Sequence, residues 1–166
     1  MTENKKIRNA TRITYNDIKF KSLLEKNIYV LLEKQGFNPQ YEKFTYVIFD
    51  EFKPIVPFYE EETTKHKLSR LKKDNKVKTK ILLLKDTKVK GITYTPDITF
   101  EYNGIFVIIE LKGKENDVYP YKKKLFRKCL DDMYIKDNKP VLFFEIHSKT
   151  QALQAINIIK EYEKTK

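Results

Sequence analysis

The stretch that most constrains this chain is residues 98–111, where two alternating runs flank the dipeptide Asn103-Gly104. Asn-Gly readily takes the two left-handed conformations of a two-residue type I′ turn, whose twist matches that of the strands on either side. A β-hairpin is therefore predicted, with residues 92–111 as its frame. With that turn Tyr102 faces Ile105, and stepping away from the turn along both strands brings Asp97 opposite Glu110. Side chains alternate along a strand, so Asp97, Thr99, Glu101, Phe106, Ile108, Glu110 and Lys112 share one face. Ile98, Phe100, Tyr102, Ile105, Val107, Ile109 and Leu111 form the other, which is wholly apolar and must face a core.

The remaining chain has to supply that core. Its 166 residues fit one domain. Hydrophobic residues make up 40%, with eleven Phe, eleven Tyr and only four Gly, a balance that excludes a disordered or collagen-like chain. The longest apolar runs, such as Val30 to Leu32, Ile81 to Leu84 and Phe106 to Ile109, fall far short of the ~20 residues a bilayer requires. The first residues are polar and basic rather than signal-like, so a soluble, non-exported protein without a membrane partner is expected. Cys129 is the single cysteine, which rules out a disulfide framework and a Cys-rich zinc site. It reads as a small packed hydrophobe, and any metal would have to be held by oxygen.

Elsewhere the pattern is coarser. Alternation on either side of Asn16-Asp17 predicts a short hairpin. Ser22 then caps a helix with Glu25 at capping-box spacing, Leu24, Ile28, Leu31 and Leu32 form its stripe, and Gly36 stops it. Residues 41–50 read as a strand, 51–79 as an insertion broken by Pro54 and Pro57, and 81–84 as a short buried strand. Residues 120–134 read as a helix, 140–147 as a strand and 151–162 as an amphipathic helix. This order predicts an α/β fold in which a mixed sheet is covered by helices.

The net charge of +11 arises from 34 Lys and Arg against 23 Asp and Glu. It is concentrated: eleven basic residues lie between Thr63 and Lys90 against only Asp74 and Asp86, and a second cluster runs from Lys112 to Lys128. Such clustering points to a polyanion, with Lys72, Lys73, Lys76, Lys114, Lys122, Lys123, Lys124 and Arg127 as candidate phosphate contacts. No base-reading element is evident, so binding independent of sequence is expected.

Chemistry concentrates on the polar face of the central hairpin. Two carboxylates on opposed strands, with Cβ atoms about 5 Å apart, repel each other and raise one pKa unless a cation bridges them. Mg²⁺ binds one or two carboxylates together with waters and phosphate oxygens, which suits Asp97 and Glu110. Lys112, on the same side, could hold a phosphate or lower the pKa of an attacking water. The competing reading is a solvated hairpin face with an ordinary Glu-Lys pair. His66 and His147 lack nearby Cys or His partners and read as surface groups, and Glu101 reads as solvated.

Asp97, preceded by Pro96, and Glu110-Leu111-Lys112 resemble the signature of the PD-(D/E)XK nuclease superfamily. The run Phe20-Lys21-Ser22-Leu23-Leu24-Glu25 resembles the first-helix motif of phage endonuclease I-like nucleases, which are of the Holliday junction resolvase type. Residues 122–126 and 141–146 resemble the helix and strand that close that core. The likeness covers about residues 12–50 and 92–147 and departs at the basic insertion, about 51–91; transposon end-cleaving nucleases share a similar Tyr-Thr-Pro-Asp hairpin. The resemblance implies one restriction-endonuclease-like domain that hydrolyses DNA with Mg²⁺, for which Mn²⁺ would substitute, and needs no small-molecule cofactor. Asp97, Glu110 and the Leu111 carbonyl would bind the metal, Lys112 would orient or activate water, and Glu25 would be a further acidic residue, although as a helix cap it has an equally simple role. Branched recombination or replication intermediates would be the substrate and a homodimer the working form, in the cytoplasm of a bacterium or a phage-infected host. Two alternatives remain open: a non-catalytic DNA-binding or packaging accessory that kept the fold, and a sequence-specific enzyme of transposon or restriction type.

Overall fold

The computed structural model describes residues 13–67, 76–113 and 117–164. A short hairpin opens the chain, β1 (Ile13–Tyr15) and β2 (Ile18–Phe20), with Asn16 and Asp17 at φ 48° and 63° as a type I′ turn requires. Helix α1 (Leu23–Lys34) starts at Ser22, whose hydroxyl accepts the Glu25 N–H, and ends before Gly36 at φ 84°. The strand expected over residues 41–50 is divided into β3 (Gln40–Tyr41) and β4 (Tyr46–Phe49). Glu42 turns the chain there at φ 44°, and its N–H bonds the Asp97 carbonyl at 2.9 Å.

A mixed four-stranded sheet carries the fold, in the order β10-β9-β8-β3. Strands β8 (Ile98–Tyr102) and β9 (Ile105–Leu111) pair from Tyr102↔Ile105 to Ile98↔Ile109 around Asn103 and Gly104, both at positive φ. This is the register derived from the turn. Strand β10 (Val141–Ile146) lies parallel to β9, Phe143 beside Ile108 and Glu145 beside Glu110. A parallel pair needs a crossover, supplied by helix α2 (Tyr119–Asp137), which has Pro120 in its first turn. The chain is therefore of mixed α/β class.

The apolar face of the hairpin meets α1 and helix α3 (Lys149–Lys164). Ile98, Phe100, Val107 and Ile109 are buried with Ile28 and Leu32 from α1 and Ala152, Ala155, Ile156 and Ile159 from α3. The opposite face is covered as well. Phe126 of α2 is fully buried, its ring centroid 4.3 Å from that of Tyr94, 5.2 Å from Tyr46 and 5.4 Å from Phe143. On that face Glu110 is only 4% exposed and Thr99 1%, whereas Glu101, nearer the turn, is exposed, so the carboxylate of Glu110 does not belong to a solvated surface pair.

Residues 49–92 cluster as a second compact unit. Within it β5 (Tyr59–Lys67) and β6 (Lys76–Leu84) pair antiparallel over their whole length, from Tyr59↔Leu84 to Lys67↔Lys76. The short buried strand expected at 81–84 is thus the end of a nine-residue strand, and Leu82 and Leu84 are exposed. An apolar run reads as buried only if something covers it, and a two-stranded ribbon leaves its faces open. Gly91 stands where a Cβ would lie 2.9 Å from the Phe49 carbonyl oxygen, too close for any side chain. Strand β7 (Ile92–Tyr94), paired with β4, leads into the sheet hairpin. Among the described residues no helix is long and apolar enough to cross a membrane.

Candidate active site

The site lies where the β8–β9 hairpin runs out of backbone pairing. The last ladder pair is Ile98↔Ile109, and the next position on each strand is Asp97 and Glu110. Instead of pairing by backbone, Asp97 turns its carboxylate to Leu111, whose N–H it accepts at 2.7 Å. Lys112 continues β9, donating its N–H to the Ile146 carbonyl, and its ammonium pairs with Glu110 Oε1 at 2.5 Å. Glu110 Oε2 is buried and has no hydrogen-bond partner.

That arrangement is electrostatically loaded. Burial first, then the neighbouring Glu110 charge, pushes the Asp97 carboxyl up to about 7, with a further contribution from Glu25; the Leu111 N–H and the Lys112 ammonium pull the other way. The Tyr94 hydroxyl is buried in the same place against Glu110 and Tyr119, and burial first, then the Glu110 charge, raises its pKa. Two carboxylates this close, one with an unsatisfied buried oxygen, form a donor set suited to a hard cation. Among the described residues no three acidic, His or Cys side chains converge as a complete metal cage, so two carboxylates are what the side chains offer.

Glu25 is 8% exposed. Its Oε1 accepts the Ser22 hydroxyl at 2.8 Å, and its Oε2 accepts the Lys21 N–H at 2.9 Å and the Tyr41 hydroxyl at 2.6 Å. The Ser22–Glu25 cap read from the sequence forms here, although the carboxylate accepts the Lys21 N–H rather than that of Ser22, and the helix end is tied to β3 through Tyr41. Burial and that hydrogen bond raise the Tyr41 pKa.

Four of the candidate phosphate contacts belong to α2. Lys124 and Arg127 are exposed, whereas Lys122 and Lys123 are half-buried. Lys122 donates to the Thr93 carbonyl at 3.3 Å, and Lys123 to Glu145 Oε2 at 2.8 Å. Lys72, Lys73 and Lys114 lie outside the described residues, and Lys76 begins β6.

Sequence reasoning did not find Glu145, and it placed Tyr94 beside Pro96-Asp97 and Tyr119 at the start of the following helix without a role for either side chain in the site. Glu145 occupies the position beside Glu110 on the parallel strand, and its Oε2 accepts the Tyr119 hydroxyl at 2.6 Å; its Oε1 stands 3.4 Å from His147 Nε2. Burial alone would raise the Glu145 pKa, but Lys123 and Tyr119 outweigh it and lower it. No local pattern marks Glu145, because parallel register across a crossover helix is not encoded by neighbouring residues. No protein-family model matches this chain, and neither a curated protein nor a solved structure matches it significantly.

Proposed function

We propose that this protein is a divalent-cation-dependent endodeoxyribonuclease of the PD-(D/E)XK superfamily, with a restriction-endonuclease-like fold. The observation that carries the reading is the buried, unpartnered Glu110 Oε2 beside the Asp97 carboxylate, with the Lys112 ammonium against the same residue. Order of elements supports it too: a capped helix carrying Glu25 precedes the central hairpin, and a crossover helix and parallel strand follow it.

In this reading Asp97, Glu110 and the Leu111 carbonyl would hold Mg²⁺, for which Mn²⁺ would substitute. The ion would supply Lewis acidity, lowering the pKa of water and neutralising phosphate charge. Lys112 places a positive charge next to Glu110, where it can orient the attacking water and stabilise the negative charge that grows on the phosphoryl oxygens. Asp97 is fixed by its hydrogen bond from Leu111, so it need not reorganise when the cation binds. Glu25 adds negative charge to the same region. Lys122, Lys123, Lys124 and Arg127 on α2, with Lys114 before it, grip the DNA backbone, and Lys72, Lys73 and Lys76 add contacts from the basic segment.

A surface rich in Lys gains affinity from the number of phosphates reached together, so branched DNA is the favoured substrate and a homodimer with two sites the working form. The cellular setting is the cytoplasm of a bacterium or a phage-infected host. The test is incubation with linear, nicked, flapped and four-way DNA plus Mg²⁺, beside Glu110→Ala, with molecular mass measured in solution. Metal-dependent cutting lost in Glu110→Ala is expected. Binding without cutting by the wild type would leave a DNA-binding accessory instead.

A further inference from the structure

The Lys112 ammonium has two neighbours of different kinds. One is the Glu110 carboxylate; the other is the face of the Tyr119 ring, whose centroid lies 3.9 Å from Nζ. Tyr119 is itself held: it is 4% exposed, its hydroxyl donates to Glu145 Oε2, and that same oxygen accepts the Lys123 ammonium. Glu145 in turn sits beside Glu110 in the β9–β10 ladder. A closed circuit therefore runs from β9 through α2 to β10 and back.

We propose that Tyr119 is a positioning residue for Lys112, and that Glu145 acts through it by fixing the ring. The inference rests on the nuclease reading of the same site. A cation held by Glu110 would compete with Lys112 for the carboxylate charge and weaken that ion pair. The ring quadrupole is unaffected by such competition, because a buried aromatic face neither ligates a hard cation nor titrates in the working range. Tyr119 thus keeps the ammonium at its post at the moment its carboxylate partner is shared. Ring orientation decides how well it does so, and the hydrogen bond to Glu145 sets that orientation while Lys123 neutralises the remaining carboxylate charge.

The test replaces Tyr119 by Phe, and by Phe carrying one, two or three ring fluorines, in the full chain. Fluorine drains the quadrupole with little change of shape, so packing is retained while the attraction for the ammonium fades. Single-turnover cleavage of a four-way junction with Mg²⁺ should slow stepwise along the series, by about 10-fold from Phe to the trifluorinated ring, with the half-saturating concentration unchanged, and in the metal-free protein the NMR resonances of the Lys112 ε-methylene should move stepwise towards those of an exposed lysine as the ammonium leaves the ring face. Glu145→Leu should slow the wild type a few-fold and the Tyr119→Phe protein no further, since the hydroxyl it anchors is already gone. A rate that does not vary along the series would overturn the role of Tyr119 while cleavage by the wild type stood. Failure of the wild type to cut any DNA with Mg²⁺ or Mn²⁺ would instead overturn the nuclease reading, and this inference with it.

Discussion

Asp97 and Leu111 are joined across the central hairpin, the carboxylate of one accepting the main-chain N–H of the other at 2.7 Å. The bond runs from one step beyond the last ladder pair on β8 to two steps beyond it on β9, where backbone pairing of the hairpin has ended. It holds an acidic side chain beside Glu110 at the cost of repulsion between the two, and that stored repulsion is what a cation would relieve.

Removing either carboxylate should separate chemistry from folding. Asp97→Asn and Glu110→Gln should each lose several orders of magnitude in Mg²⁺-dependent cleavage while keeping a native circular dichroism spectrum, because the apolar face of the hairpin is untouched. Lys112→Ala should still bind Ca²⁺ by calorimetry yet cut slowly with Mg²⁺. Undiminished cutting by either carboxylate variant would remove Asp97 and Glu110 from the metal site.

Stability without metal should fall as pH rises. Asp97 titrates at about 7 in the folded protein, raised by burial and by Glu110, and near 4 in an unfolded chain. Between those values the folded protein keeps a proton that the unfolded chain has released, so this group lowers stability as pH increases through that window. The urea midpoint of the metal-free wild type, compared with Asp97→Asn, should drop as pH rises from about 4 through about 7 and level off above that, and added Ca²⁺ should restore it. Parallel curves for the two proteins would show that neither burial nor Glu110 raises Asp97 in the folded protein.

Salt dependence should locate the DNA contacts. Each neutralised phosphate contributes ~0.9 to the slope of log affinity against log salt, so Lys124→Ala with Arg127→Ala should reduce the slope by up to about 2. Replacing Lys72, Lys73 and Lys76 together should reduce it by up to about 3. Cleavage at saturating DNA should barely change in either case. An unaltered slope would mark the cluster as charged surface only.

Phe126 is the keystone of the site's covering layer, fully buried among Tyr46, Tyr94 and Phe143. Phe126→Ala should cost about 3 to 5 kcal/mol in urea unfolding, from lost burial and the cavity left behind. A loss below about 1 kcal/mol would mean that α2 does not depend on this ring to hold its place against Tyr94 and Phe143.

The hairpin shows how far local sequence reaches. Asn103-Gly104 determines the turn, the turn determines the register, and the register places Asp97 level with Glu110 and sorts fourteen side chains onto two faces, all within residues that are neighbours in the chain. The same holds for Ser22 and Glu25, whose capping geometry is a matter of three residues. Beyond that reach the sequence is silent. That Glu110 and Thr99 are enclosed while Glu101 on the same face is exposed depends on the segments packed beside them, and Leu82 and Leu84 pair with Glu61 and Tyr59, 21 and 25 residues away in the chain, in a ribbon that leaves them exposed. Tertiary structure alone brings Glu145 beside Glu110, Tyr119 onto Lys112 and Tyr41 onto Glu25. Backbone turns and alternation are set by interactions between near neighbours, whereas burial, charge coupling and the footing of a side chain depend on which distant segment fills the space beside it.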